Sequence, residues 1–334
     1  MEQYRQHKTG KIPIKSKVQI VDKSPLILTG KEFEDAIVND DVNIFHKYDL
    51  NVIANLFTHL NIQLDKLIET NKPNIVKYAL NNKLLDPNLQ YGEENVDDDL
   101  HKYTALMLTI YVENNEIAKI LLMNPKIDVN LVPNGNQPAL VLAISRKNYE
   151  IAKMLIEHPK IDVNLGENVG ITPLIDAILE GKYKSYEIAM MLLDHPKINV
   201  NSLDHSGETA LMNTLHSVHP MDHYDIIKLL LERPDIDVNL QNKDFGRTAL
   251  MIAINGNKYE IVKLLISHPN TDVNLEDKEG YTPLMKAVNC SYDIAKLLLK
   301  HPKIDTTKIN EWNHTALDYA TNTNNSAMIA LFGG

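Results

Sequence analysis

Histidine recurs in four similar strings of the chain, and a regularly repeated histidine is a candidate metal ligand. The strings read His-Pro-Lys-Ile-Asp with small changes, and their histidines are His158, His195, His268 and His301. Neutral imidazole is a common zinc ligand, so a row of imidazoles along a stack of repeats could bind a metal. Two further copies of the string carry Asn124 and Arg233 at the same place. A ligand role would not tolerate these replacements, and the pattern therefore favours a structural role at the end of a helix.

A second group of possible zinc ligands lies in one short segment. His216, His219 and His223 fall within eight residues, and Asp222 stands beside them. Pro220 interrupts the i, i+4 spacing that would place two imidazoles on one face of a helix. We therefore predict no metal site here.

Aspartate also recurs once per unit, and paired carboxylates could do acid–base chemistry. Regular spacing along a stack keeps two of these carboxylates from converging on one substrate, and aspartate is a common turn residue. The sequence contains no nucleophile–base pair, phosphate-binding glycine loop or dinucleotide fingerprint. We predict that the protein is not an enzyme and needs no cofactor. The aspartates are Asp128, Asp162, Asp237, Asp272 and Asp305.

Composition narrows the class of protein and of partner. The chain has 334 residues, 44% hydrophobic and 23% charged, which is typical of a globular protein. A net charge of -10 opposes binding to nucleic acid or anionic lipid and favours a basic protein partner. Cys290 is the only cysteine, and the sequence has neither a signal-peptide core nor a run of about eighteen apolar residues. We expect a soluble, intracellular, monomeric protein, most simply cytoplasmic.

Self-comparison shows a repeat, which supplies the elements that position these residues. Strings similar to Thr-Ala-Leu-Met are separated by 34, 34, 37, 39, 34 and 33 residues. An isoleucine and the aspartate or asparagine of the later string are always 11 residues apart, which gives seven copies and a final half-copy. The anchors of the first string are Thr104, Pro138, Thr172, Thr209, Thr248, Thr282 and Thr315.

One unit, residues 245–275, can be interpreted in full. Thr248 is a typical N-cap residue, and apolar residues follow it at helical spacing. The segment 255–257 ends this helix, and a second apolar-faced helix runs to His268-Pro269, where proline prevents its continuation. An extended finger follows, before the next threonine. Neither helix can bury its apolar face alone, so the units are predicted to stack.

These positions resemble the ankyrin repeat pattern, and the resemblance covers at least residues 60–334. It implies an all-α ankyrin-repeat solenoid of helix–turn–helix units with hairpin-like fingers. The His-Pro-Lys-Ile-Asp sequence further resembles that of expanded ankyrin families of large DNA viruses that infect protists. The matching residues of one unit are Gly246, Thr248, Ala249, Leu250, Ala253, Ile261, Val262, Leu264, Leu265, Asp272, Val273 and Asn274.

The predicted organisation has four parts. Residues 1–59 form an N-terminal segment with a basic tail and a short helical capping module, including a helix over 49–60. A degenerate repeat occupies 60–90, and an acidic finger insertion occupies 91–101, either a solvated loop or a contact for a basic peptide. Residues 102–334 hold about six full repeats and a C-terminal half-repeat. Insertions at 181–187 and 216–225 are predicted to be loops on one edge.

The resemblance implies a non-enzymatic scaffold that binds a partner protein through its finger tips and concave groove. Two alternatives stay open: an adaptor that links a target to host ubiquitin or signalling machinery through residues 1–59, and an enzyme whose catalytic part is that segment. Trp312 is expected either to anchor a partner or to pack against the C-terminal cap. The residues predicted to contact the partner are Tyr111, Arg146, Asn168, Glu180, His205, Glu208, His216, Phe245, Arg247, Asn255, Lys278, Glu279, Tyr281, Asn289 and Trp312.

Overall fold

Helices dominate both compact units into which the chain divides, Met1–Ile161 and Asp162–Gly334. The structure is a computed structural model that describes residues 28–91, 103–133, 136–167, 170–181, 183–216, 224–322 and 325–333. Over these ranges it contains 18 α-helices, one short 3-10 helix and a single pair of two-residue strands. The expected all-α fold is confirmed.

The first unit contains eight helices within its described residues, and one strand pair. The strands pair antiparallel, Gln90 with Thr104 and Tyr91 with Tyr103. In chain order the elements are α1 (Gly30–Asn39), a 3-10 helix (Phe45–Lys47), α2 (Leu50–His59), α3 (Leu64–Glu69), α4 (Pro73–Asn81), β1 (Gln90–Tyr91), β2 (Tyr103–Thr104), α5 (Ala105–Tyr111), α6 (Asn115–Leu122), α7 (Ala139–Ser145) and α8 (Tyr149–Ile156).

The second unit consists of helix pairs joined by fingers. A finger is the segment between the turn after a second helix and the capping threonine of the next first helix. In chain order the helices are α9 (Pro173–Glu180), α10 (Tyr183–Asp194), α11 (Ala210–Thr214), α12 (Tyr224–Leu231), α13 (Ala249–Asn255), α14 (Tyr259–Ser267), α15 (Pro283–Cys290), α16 (Tyr292–Leu299), α17 (Ala316–Asn322) and α18 (Ser326–Gly333).

Threonine starts the first helix of a pair, as the sequence predicts. Thr248 has an extended backbone, and its Oγ1 accepts a hydrogen bond from the N–H of Met251 at 3.3 Å. This bond satisfies one of the amides that a helix start leaves without a partner. The helix that follows buries all of its residues from Ala249 to Ile254. The same cap is made by Thr104, Thr172, Thr209 and Thr282.

Residues 28–59 pack against the first helix pair that follows them. Phe33, Phe45 and Phe57 form a buried aromatic cluster, with ring centroids 5.1 to 6.3 Å apart. The carboxylate of Asp40 caps the start of α4 by accepting the N–H groups of Asn74 and the next residue, at 3.0 and 2.9 Å. The helix predicted over 49–60 is present as α2. The division of the chain at residue 59 stays a prediction.

One predicted loop is wrong. The insertion at 181–187 was expected to lengthen a loop, but residues from Tyr183 onward are helical and give α10 twelve residues. The second helix of the neighbouring pair, α12, has eight. A helix of this length keeps its backbone amides paired, which a seven-residue surface loop would leave to water. Most of the second insertion, 217–223, lies outside the described residues, as do 1–27 and the acidic segment 92–102.

The asparagine of the Asp-Val-Asn string joins each such repeat to the next repeat along the chain. The side chain of Asn239 donates to the carbonyl of Asn270 at 2.7 Å and accepts the N–H of Asp272 at 2.9 Å. A side-chain amide can donate from its nitrogen and accept at its oxygen at the same time, so the residue fixes the register between successive strings. The same two bonds are made by Asn88, Asn164, Asn201 and Asn274.

Aspartate of the same string shapes the turn, as predicted. Asp272 Oδ1 accepts the N–H of Asn274 at 2.9 Å, two residues on, and so holds the asparagine in position for its bonds to the next unit. Asp128, Asp162 and Asp237 make the equivalent bond at 3.0 Å. These carboxylates therefore act on the backbone of their own turn.

Histidine of the His-Pro-Lys string is a hydrogen-bond acceptor. The Nδ1 atom of His158 accepts the N–H of Lys160 at 3.3 Å, and His195, His268 and His301 make the same bond at 3.3 to 3.4 Å. Asn124 replaces histidine with an equivalent acceptor, its Oδ1 lying 2.9 Å from the N–H of Lys126. The helix ends just before this residue, or with it as the C-cap in α14. The repeated imidazole thus supports a turn.

We predict that Asn239→Ala lowers the free energy of unfolding by about 1–2 kcal/mol, because two inter-unit hydrogen bonds are lost. The measurement is urea denaturation followed by circular dichroism. Asn270→Ala is the matched control, since that side chain is exposed and its backbone carbonyl remains. Equal denaturation midpoints for the two variants would show that the asparagine bonds do not hold the units together.

We predict that replacing His158 with asparagine changes how stability depends on pH. Burial, followed by the positive charge of Lys160, lowers the pKa of His158 from 6.5. Its contribution to stability is therefore present above about pH 6.5 and is lost as the pH falls through the lower folded-state pKa. His158→Asn keeps an acceptor that does not titrate. Unfolding measured at pH 8 and pH 5 should favour the variant, relative to wild type, only at pH 5. A difference independent of pH would contradict this role.

Candidate partner-binding surface

Fingers of the second unit are joined to one another through their backbones. The N–H of Lys243 donates to the carbonyl of Ser206 at 2.8 Å, and the N–H of Lys278 donates to the carbonyl of Phe245 at 3.0 Å. The next pair, Glu311 N–H and a carbonyl of the preceding finger, lies at 3.3 Å. Glycine is required at position 207, because Gly207 has a φ of 71° and a Cβ there would lie 2.6 Å from the backbone nitrogen of Lys243.

Two large aromatic side chains are exposed on these joined fingers. Phe245 is 53% exposed and Trp312 is 52% exposed. Tyr281 lies on the finger between them in sequence, and its ring centroid is 5.7 Å from that of Trp312. Trp312 therefore packs on one side against a neighbouring finger and presents the other side to solvent. The ring contact is thus with the preceding finger, where packing against the C-terminal cap was expected, and anchoring of a partner by Trp312 stays a prediction.

Tyr281 is held by a polar network beneath Trp312. The hydroxyl of Tyr319 donates to that of Tyr281 at 3.0 Å, and Asn310 Nδ2 donates to the Tyr319 hydroxyl at 2.7 Å. The hydrogen bond with Tyr319, together with burial and nearby negative charge, raises the pKa of Tyr281 to about 12. Lys286 Nζ lies 4.9 Å from the Tyr281 ring centroid and is paired with Asp277 at 2.6 Å. Tyr281, against which Trp312 packs, is thus held by a hydrogen bond to Tyr319 and by the cation of Lys286.

The Asp277–Lys286 pair belongs to a pattern that was not predicted from the sequence. Four residues after a capping threonine, a side chain of the first helix reaches the residue five before that threonine, at the base of the finger. Asn213 reaches Asp204 in this way at 3.2 Å, and Tyr319 reaches Asn310. The available signal was a polar residue at one fixed position of otherwise apolar first helices.

In the repeat that begins at Thr172, both positions of this pattern, one on the first helix and one on the finger, hold acidic residues. Asp176 follows Thr172 by four residues, and the finger position five before Thr172 is Glu167. Oδ2 of Asp176 is buried without a hydrogen-bond partner. Burial, and then the negative charges of Glu180 and Glu167, raise the pKa of Asp176 to about 7. Glu180, one of the predicted contact residues, therefore lies beside a carboxyl that is half protonated near neutral pH.

Glu208 links two fingers and the turn that follows a first helix, α11. Its Oε1 accepts from Asn242 Nδ2 at 3.0 Å, and its Oε2 is hydrogen-bonded to Nε2 of His216 at 2.7 Å. His216 is exposed, and through this hydrogen bond it contacts a finger. Its candidate co-ligands His219 and His223 lie outside the described residues. Among the residues that the structure describes, no group of three or more His, Cys, Asp or Glu could hold a metal ion.

Other predicted contact residues occupy exposed positions. His205, Lys278 and Glu279 are exposed on the fingers, and Asn255 and Asn289 are exposed at the ends of α13 and α15. The predicted residues of the second unit that are in direct side-chain contact form separate groups: Glu208 with His216, Phe245 with Arg247, and Tyr281 with Trp312.

Contact residues predicted in the first unit also come together. The guanidinium Cζ of Arg146 lies 4.2 Å from the ring centroid of Tyr111, and Tyr111 lies 5.4 Å from the ring of Tyr103. Tyr103 was not predicted, because it lies in the short strand before the capping threonine. Asn168 lies outside the described residues.

We predict that Asp176→Asn stabilises the protein above neutral pH. A carboxyl whose pKa rises from 3.8 to about 7 on folding contributes fully below about pH 3.8 and loses that contribution as the pH rises through 7. Relative to wild type, the variant should gain about 1–2 kcal/mol between pH 5 and pH 8, after allowance for screening by water. Thermal or urea unfolding at both pH values measures it, with exposed Asp244→Asn as the control. The same pH dependence in both variants would exclude Asp176 as its source.

Comparisons with known proteins agree with this architecture. A protein-family model of ankyrin repeats, in three copies, matches residues 64–167, 140–242 and 215–310. None of the curated proteins compared with the chain matches it significantly. No helix among the described residues is long and apolar enough to cross a membrane.

Solved structures of ankyrin repeat proteins have a similar fold. The ankyrin repeat domain of Bcl-3, a member of the IkappaB protein family, is 20% identical, with a TM-score of 0.56 over 70% of this chain and 99% of that one. The ankyrin repeat protein EF0377 is 23% identical, with a TM-score of 0.51 over 59% of this chain and 98% of that one. The family match covers well over half of the sequence, and the chain therefore belongs to the ankyrin repeat family.

Proposed function

We propose that this protein is a non-enzymatic scaffold that binds a partner protein through the fingers and first-helix ends of its second unit. The main support for this proposal comes from two exposed aromatic side chains, Phe245 and Trp312, on fingers that are joined by backbone hydrogen bonds. Exposed tryptophan and other large aromatic residues are the side chains that most often dominate the energy of protein interfaces.

Rigidity of the fingers supports this proposal. Backbone bonds between fingers, and the Tyr281–Tyr319–Asn310 network, hold the exposed aromatic groups before a partner arrives. A surface that is already ordered loses less conformational entropy on binding than a flexible loop does. A non-enzymatic role is further supported by the recurring histidines and aspartates, which are used by turns in the described part of the chain.

The narrower predictions rest on sequence alone. An adaptor role of residues 1–59 stays a proposal from the sequence; in the described part of that segment, 28–59, the side chains of Phe33, Phe45 and Phe57 are buried. The resemblance to ankyrin families of large DNA viruses rests on the His-Pro-Lys-Ile-Asp wording.

We predict that Phe245→Ala and Trp312→Ala each weaken partner capture about tenfold or more, because each removes an aromatic anchor. The measurement is quantitative affinity capture from a cell lysate with the full chain, followed by titration of the recovered partner. Tyr292→Ala is the matched control, since Tyr292 is 40% exposed at the start of a second helix. Partner recovery that falls with Tyr292→Ala, and is unchanged by the finger variants, would place the interface elsewhere.

A further inference from the structure

Arg247 carries an unsatisfied charge on the finger surface. Its guanidinium Cζ lies 4.3 Å from the ring centroid of Phe245, and its Nε is buried without a hydrogen-bond acceptor. In the described part of the chain the guanidinium makes neither a hydrogen bond nor an ion pair; the bonds of this residue are made by its backbone, whose N–H donates to Asn242 Oδ1 at 2.9 Å. A buried donor on a charged group is costly to leave unpaired.

Arg233 shows what a structural arginine looks like in this protein. Its Nε and Nη2 atoms donate to the carboxylate of Asp235 at 2.9 and 3.0 Å, and its Nη1 donates to the carbonyl of Leu193 at 2.8 Å. The sequence uses arginine at four positions among 34 basic residues, so lysine is its ordinary cation. Arg146 also stacks on an aromatic ring, but it is exposed to water. Arg247 differs from both in having a buried Nε without the acceptor that its fork of donors requires.

Stacking on Phe245 orients the guanidinium for one class of ligand. An aromatic ring covers the face of the planar group and leaves its donors at the edge. Because Nε is buried, the edge open to a partner is that of the two terminal amino groups, whose parallel N–H donors match the two oxygens of a carboxylate. Phe245, half exposed beside it, supplies an apolar contact for whatever residue carries the carboxylate.

Local charge favours an acidic partner, although the whole chain carries -10. On this finger and the next, the carboxylates of Glu276 and Asp277 are already paired with Lys308 and Lys286, each at 2.6 Å. What remains exposed or half-exposed there is three cations against two carboxylates: Lys243, Arg247, Lys278, Asp244 and Glu279. The surface around Arg247 is therefore slightly positive in an acidic protein.

We propose that Phe245 and Arg247 bind a carboxylate group on an extended acidic segment of the partner protein, with the guanidinium as a two-donor clamp. This inference rests on the proposed function and adds the chemistry of the partner at one finger. It differs from the basic partner that the net charge suggested, because the local surface, and not the total, meets the ligand.

The test begins with a random twelve-residue peptide library displayed on phage and selected on the immobilised full chain. A selected peptide is then synthesised with its recurrent Glu or Asp, and with Gln or Asn in its place. Both peptides are titrated against wild type, Arg247→Gln, Arg247→Lys and the exposed second-helix control Lys263→Gln. Circular dichroism checks that each variant is folded.

We expect an acidic residue at a fixed position, and about a tenfold to hundredfold loss of affinity when its carboxylate becomes an amide. Arg247→Gln should bind both peptides equally weakly, Arg247→Lys should recover little, and Lys263→Gln should match wild type. A double-mutant comparison of this kind isolates the pair itself.

Three results would overturn the inference. Peptides without a fixed acidic position, or an Arg247→Gln variant that still prefers the carboxylate as strongly as wild type, would remove the carboxylate site. If such peptides nevertheless lost binding with Trp312→Ala, the scaffold function would survive and only this site would fail. If no peptide were enriched, the site would fail, and the full-length partner capture would decide the scaffold function separately.

Discussion

Neither helix of a repeat buries its apolar face without a neighbouring repeat, and this constraint governs the rest of the structure. Apolar contacts bring neighbouring units together but do not fix their register, since a hydrophobic surface is not directional. The asparagine of the Asp-Val-Asn string supplies the direction by bonding to two backbone groups of the next string, as Asn239 and Asn274 do. The resulting alignment allows successive fingers to bond to one another and to present side chains at fixed spacing.

Much of this framework could be predicted from the sequence because it depends on local chemistry. The threonine caps, the turn-forming aspartates and the helix end before His-Pro involve residues two or three positions apart. The surface could be predicted only as a set of positions. Its ordering depends on pairs such as Asp277 with Lys286, nine residues apart, and Tyr281 with Tyr319, 38 apart, which are visible only when the turns are formed. The helical insertion at α10 escaped prediction because insertions usually lengthen loops.

Repetition and variation have separate roles in this protein. Repeated residues, including the imidazole of His158 and its replacement Asn124, serve the same turn in unit after unit. Where units differ, the structure changes character: two acids meet at Asp176, a lysine is buried against an acid at Lys286, and an arginine is left without an acceptor at Arg247. These differences give each finger its own surface, which a scaffold needs in order to distinguish partners.

Hydrogen–deuterium exchange of the full chain, free and bound to a captured partner, locates the partner-binding surface without mutation, because backbone amides that a partner covers exchange more slowly. We expect exchange to slow on binding in the fingers 203–208, 243–247, 277–281 and 310–314 and at the ends of α13 and α15. Second helices such as α14 and α16 should be unchanged. Protection confined to the second helices, or to residues 28–59, would contradict binding through the fingers.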